Sequence, residues 1–154
     1  MPYEIRKEER AATTALVVSR WIPAAAVAEV LGEMLPQVFE YVMSHELTVT
    51  APPFAMYTES SAEGVTLTGG MPVADPGDGT DQIRPITIPS GTYAKTIHAG
   101  AYDTLNEAHQ ALEGWILGAG FKPGPASYEF YLTDPGEYPD EADWRTEVLR
   151  GISS

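Results

Sequence analysis

The 154-residue chain contains no cysteine. That absence removes disulfides, thiol nucleophiles, iron–sulfur ligation and cysteine zinc sites at once, and it is compatible with a reducing cytoplasm. Basic residues are scarce: nine Lys and Arg face 22 Asp and Glu, a net charge of −13. A field of that sign repels phosphate backbones and anionic lipid surfaces, so neither nucleic acid nor membrane is expected as a direct partner, whereas cations are attracted. No apolar run approaches the roughly 20 residues of a spanning helix, and the charged N-terminus has no signal-peptide core. The expectation is a soluble cytoplasmic protein. Glycine is plentiful, but phosphate-loop, dinucleotide and nucleophile-elbow patterns are missing. His45, His98 and His109 lack metal-ligand spacing, and the acidic loop Asp75–Asp81 lacks the EF-hand pattern, so no cofactor or metal is called for. His109, four residues before Glu113, reads as half of a surface pair.

What the chain does have is a motif written twice. A constant offset of 74 residues sets Leu31 on Leu105, Tyr41 on Trp115, Leu47 on Phe121 and Tyr57 on Tyr131 without a gap. Each copy reads as an amphipathic helix, a proline-containing turn and a short aromatic strand, Phe54-Ala-Met-Tyr57 and then Tyr128-Glu-Phe-Tyr131. Where the first has Ala55, the second has Glu129. Two such units fold by covering each other's apolar faces, which predicts a ligand crevice between them with the odd acid as its polar anchor.

Around that motif, Tyr3–Trp21 reads as one long strand or two with a bulge. Val27, Val30, Leu31, Met34, Leu35, Val38, Phe39 and Val42 form a helical stripe, in which Pro36 predicts a kink or a break near Leu35. Strands follow at 54–59 and 65–73, with Gly69-Gly70 marking a bulge or a close backbone approach. The second half opens with strands at 84–88 and 92–98. Thr104 and Glu107 have capping-box spacing, and Tyr102, Leu105, Ala108, Leu112, Trp115 and Ile116 form the second stripe. Strands at 126–133 and 144–149 complete it. The expected fold is α+β: one domain over 1–154 made of duplicated βαββ halves, about 1–75 and 83–154, joined by a linker at 76–82. The halves should be related by a pseudo-two-fold axis and share a curved antiparallel sheet with both helices on one side.

Side chains alternate along a strand, so Glu129 and Tyr131 share one face and Tyr128, Phe130 and Leu132 the other. If Phe130 meets the helices, Glu129 and Tyr131 look toward the opposite half and its Tyr57. A carboxylate ringed by aromatics suits a lipophilic cation, each ring face adding about 0.5–2 kcal/mol where water is excluded. Trp21, Tyr93, Tyr102, Trp115 and Trp144 are further candidates for the wall, of which Trp115, on a helix stripe, reads as core and Trp21, at a strand end before a helix, as the better wall residue. The competing reading leaves Glu129 solvated or paired with Arg84, Lys95 or Arg145.

The segments Gly91-Thr-Tyr-Ala, Gly100-Ala-Tyr-Asp-Thr-Leu, Trp115-Ile-Leu-Gly-Ala-Gly, Tyr128-Glu-Phe-Tyr-Leu-Thr-Asp-Pro135, Trp144-Arg-Thr-Glu-Val148 and Pro53-Phe-Ala-Met-Tyr57 together resemble the GyrI-like effector-binding family. The resemblance covers essentially the whole chain. It implies two SHS2-type modules in a SOUL-like fold, a central cleft, and a family glutamate and its aromatic companion falling on Glu129 and Tyr131. In regulator members such an acid pairs with cationic drugs. In some stand-alone members it instead supports hydrolysis of cyclopropane-bearing genotoxins. These residues include no helix-turn-helix segment and no basic patch, so the expectation is a stand-alone multidrug-type binder serving a separate regulator protein. Catalysis by Glu129 and Tyr131 is the alternative.

Overall fold

The computed structural model describes residues 3–154; Met1 and Pro2, where the first half was expected to begin, lie outside the described residues. The chain divides into two compact units, Ala11–Pro89 and a second formed by Ser90–Ser154 with the N-terminal residues to Arg10. Pairing in both is antiparallel.

The first unit contains β2 (Thr13–Ile22), α1 (Val27–Ser44), β3 (Phe54–Thr58), β4 (Val65–Pro72) and β5 (Arg84–Ile88), with β1 (Arg6–Arg10) preceding it in the chain. Its strands lie in the order β3-β4-β2-β5. The second unit contains β6 (Gly91–Ala99), α2 (Leu105–Gly118), β7 (Lys122–Tyr131) and β8 (Arg145–Ser153), and its strands lie in the order β7-β8-β6-β1. Each is therefore a βαββ module with one added edge strand, which bears out the α+β class and the duplication. The edge strands cross over the expected boundaries. Residues 6–10 pair with the second unit and residues 84–88 with the first, so 76–82 is a loop inside the first unit. Sequence proximity misleads here because antiparallel β-edges pair by register, wherever in the chain the strand comes from.

The core of the first unit is Leu16, Val17, Met34, Val38, Val42, Phe54 and Leu67; that of the second is Leu105, Ala108, Leu112, Ile116, Val148 and Leu149. Of the expected kink or break, the break does not occur: α1 runs as one helix through Pro36. Pro36 and Gly32 are both exposed, so the carbonyl deprived of its partner lies on the solvent side, where the lost bond is tolerated. At Gly70 the expected close approach is found and the bulge is not. Register with β2 is unbroken, and a Cβ there would overlap the Leu16 carbonyl oxygen. The capping box is also absent: the Thr104 hydroxyl donates to the Ala101 carbonyl and meets His98 Nε2 at 3.0 Å, serving the turn and the sheet rather than the helix end.

A ring of four charges ties β1 to its sheet. Arg10 bonds Glu8 at 2.8 Å and Glu147 at 3.2 Å, while Lys95 bonds the same two acids at 3.3 and 3.0 Å. Burial opposes ionisation of Glu8, but Lys95 and Arg10 outweigh it and hold its pKa below the usual value. No helix among the described residues is long and apolar enough to cross a membrane.

Candidate functional site

Residues Tyr128 to Tyr131 of β7 are all buried, so alternation of polarity could not reveal which face the acid takes. The sheet carries Tyr128 and Phe130 on one side, where Tyr128 meets Tyr93 edge-on at 6.1 Å and the Arg10 guanidinium lies 5.7 Å from the Phe130 ring. Glu129 and Tyr131 point the other way, beneath α2. This reverses the expectation that Phe130 would meet the helix. The reason stands on α2 itself: His109 Nε2 lies 2.7 Å from Glu129 Oε2.

Glu129, only 4% exposed, is held at both oxygens. Tyr131 donates its hydroxyl to Oε1 at 2.7 Å, and an ionised carboxylate can only accept, so His109 presents its Nε2–H to Oε2. Burial of a carboxylate demands such partners, since an unpaired one would cost several kcal/mol. The reading of His109 as a surface partner of Glu113 is thus corrected. The proposed partner Lys95 instead joins Glu8 and Glu147, and Arg145 donates to the carbonyls of Ala142 and Trp144.

An aromatic wall adjoins the acid. Tyr102 packs at 5.4 Å from the Tyr131 ring and at 4.7 Å from Trp144, whose indole N–H donates to the Tyr138 carbonyl. The Tyr102 phenol has its pKa raised, first by burial and then by the charges of Asp134 and Glu129. Opposite Tyr131 in the ladder sits Thr146, wholly buried, and its hydroxyl has no hydrogen-bond partner among the described residues. Beyond it His98 is engaged by Tyr3 at Nδ1 and by Thr104 and the Ala101 carbonyl at Nε2.

Of the residues singled out from sequence, Glu129, Tyr131 and Tyr102 come together. Tyr93 lies on the opposite sheet face with Tyr128, whose phenol burial and the neighbouring Tyr93 push up to about 12. Tyr57 and Trp21 belong to the first unit: Tyr57 is half-buried opposite Leu67, and Trp21 is 53% exposed at the end of β2. His109 and Thr146 were missed. His109 had a signal in the repeat, because the offset that sets Glu129 on Ala55 also sets His109 on Leu35, an apolar stripe position. In the first unit the matching place is apolar, with Ala55 paired to Gly69 beneath Leu31 and Met34.

A model of the GyrI-like small molecule binding domain matches residues 3–151. The chain belongs to the GyrI-like family. Comparison with curated proteins yields no match. Among solved structures, the EcmrR C-terminal domain is similar with a TM-score of 0.86 at 22% identity, covering 100% of this chain and 99% of that one. The EcmrR–DNA complex matches with a TM-score of 0.84 at 22% identity over 99% of this chain, which spans 58% of the EcmrR chain. SAV2435 bound to tetraphenylphosphonium has a TM-score of 0.68 at 11% identity, over 100% of this chain and 95% of that one. A hydrolase encoded by lin2189 from Listeria innocua has a TM-score of 0.63 at 9% identity, over 99% of this chain and 93% of that one. At these identities the structural likenesses establish the GyrI-like fold.

Proposed function

We propose that this GyrI-like domain binds hydrophobic, cationic, drug-like molecules, with Glu129 as the charge anchor and Tyr131 and Tyr102 as ring partners. The observation that carries the reading is a buried carboxylate in an aromatic setting, the combination in which a lipophilic cation gains both ion pairing and ring-face attraction. The fold relative SAV2435, described with the lipophilic cation tetraphenylphosphonium, supports the choice of ligand class. Calorimetric titration with tetraphenylphosphonium and with neutral triphenylphosphine oxide tests it. Glu129→Gln should weaken the cation roughly ten- to a hundredfold, as expected for a lost charge-assisted contact, and the neutral compound much less. Equal losses for the two compounds would remove the charge-pairing idea.

A second reading is favoured by the histidine at the acid. In it the domain hydrolyses cyclopropane-bearing alkylating agents. Glu129 takes a proton from water, the oxygen bonds to a ring carbon, and the broken C–C bond's electrons pass to a conjugated carbonyl oxygen, toward which the Tyr131 O–H turns once Glu129 is protonated; the proton on Glu129 then passes to the enolate, which restores the carboxylate. Such a site turns over many equivalents, and Glu129→Gln lowers the rate by roughly 10²–10⁴. Uptake of one equivalent without product excludes it.

A further inference from the structure

The acid of this site already has an imidazole partner. His109 Nε2 lies 2.7 Å from Glu129 Oε2, and the imidazole is the more open of the two, with side-chain exposures of 24% and 5%. Both residues break the internal repeat at once, replacing Leu35 and Ala55 of the first copy. An imidazolium in that position puts a positive charge where a ligand cation would pair with the acid, whereas a neutral imidazole keeps its N–H bond and brings no charge.

We infer that His109 is the specificity-determining counter-charge of Glu129, so that a ligand cation and the His109 proton compete for one carboxylate. The inference rests on the reading of Glu129 as the cation anchor. Its sign follows from linkage. Below the ordinary histidine range a cation must displace a positively charged imidazolium, and above it only a neutral imidazole, so affinity rises with pH and binding releases a proton. For one competing proton the slope reaches at most about tenfold per pH unit. Other titratable groups lie on the same elements and their neighbours: Tyr131 on β7, bonded to Glu129; Tyr102 and Asp134 beside the aromatic wall; Glu113 one turn along α2; and His98 on β6, across Thr146 from Tyr131. Of these side-chain types only histidine ordinarily changes charge within about pH 5.5–8.5, which leaves His109 and His98 for the variants to distinguish.

Tetraphenylphosphonium is the suitable probe because its charge does not change with pH. Its dissociation constant is measured from about pH 5.5 to 8.5 for wild type, His109→Gln and Glu129→Gln, and proton release by wild type is read from the dependence of binding heat on buffer ionisation enthalpy. Affinity of wild type should rise at least tenfold across the range with release of a fraction of a proton, and His109→Gln should bind with a flat profile. The proton measurement needs no variant, so it decides even if His109→Gln folds poorly. A flat wild-type profile without proton release overturns the role of His109, as does a slope that persists in His109→Gln and so belongs to His98. In either case weakened binding by Glu129→Gln leaves the cation-anchor reading standing. Unchanged binding in Glu129→Gln overturns both.

Discussion

At the residue scale, adjacent glycines of β4 have different neighbours. A Cβ on Gly70 would overlap the Leu16 backbone oxygen, whereas on Gly69 it would come within 3.0 Å of Leu31 Cδ1 and 3.4 Å of Met34 Sδ, both side-chain atoms able to give way. Gly70→Ala should therefore cost about 3 kcal/mol or more, because the ladder must shift, and Gly69→Ala about 1 kcal/mol. Urea denaturation of the two variants checks this, and equal midpoints would contradict it. The doublet was visible in the sequence, but which glycine meets backbone was not. That depends on the register of β2 against β4, which a local sequence pattern does not contain. Glu129 likewise stood out through the repeat, while its orientation depended on what α2 placed above it.

At the element scale the repeat extends to the helix ends. Leu47 N–H bonds the Val42 carbonyl and Glu46 N–H that of Met43, and 74 residues on, Phe121 and Gly120 do the same to Ile116 and Leu117. The second copy uses glycine at a φ of 85°, but the first holds Glu46 at a φ of 54°, a left-handed conformation that a side chain disfavours. Glu46→Gly should stabilise the protein by about 0.5–1 kcal/mol, seen as a raised Tm. An unchanged or lowered Tm would mean that the greater freedom of glycine in the unfolded chain offsets the relieved strain. Helix and strand periods made most elements legible, and 84–88 was placed to the residue. Thr104 shows the limit: its spacing to Glu107 fitted a capping box, yet its hydroxyl found the Ala101 carbonyl and His98, partners brought to it by β6 and the turn.

At the scale of the whole molecule, a charge of −13 attracts cationic ligands over a distance that salt controls. Association of tetraphenylphosphonium should slow several-fold between about 20 and 500 mM salt, and that of neutral triphenylphosphine oxide hardly at all. Stopped-flow rates compare them, and identical salt responses would assign the field no part in capture. Composition, repeat and periodicity were enough for an α+β chain of two βαββ copies with Glu129 as its odd acid, because burial imposes those patterns on every helix and strand locally. They could not assign β1 and β5 to their units, turn Glu129 toward α2, or join it to His109. Those outcomes depend on edge pairing and on side chains meeting across elements, where residues 20 to 90 positions apart become neighbours through packing alone.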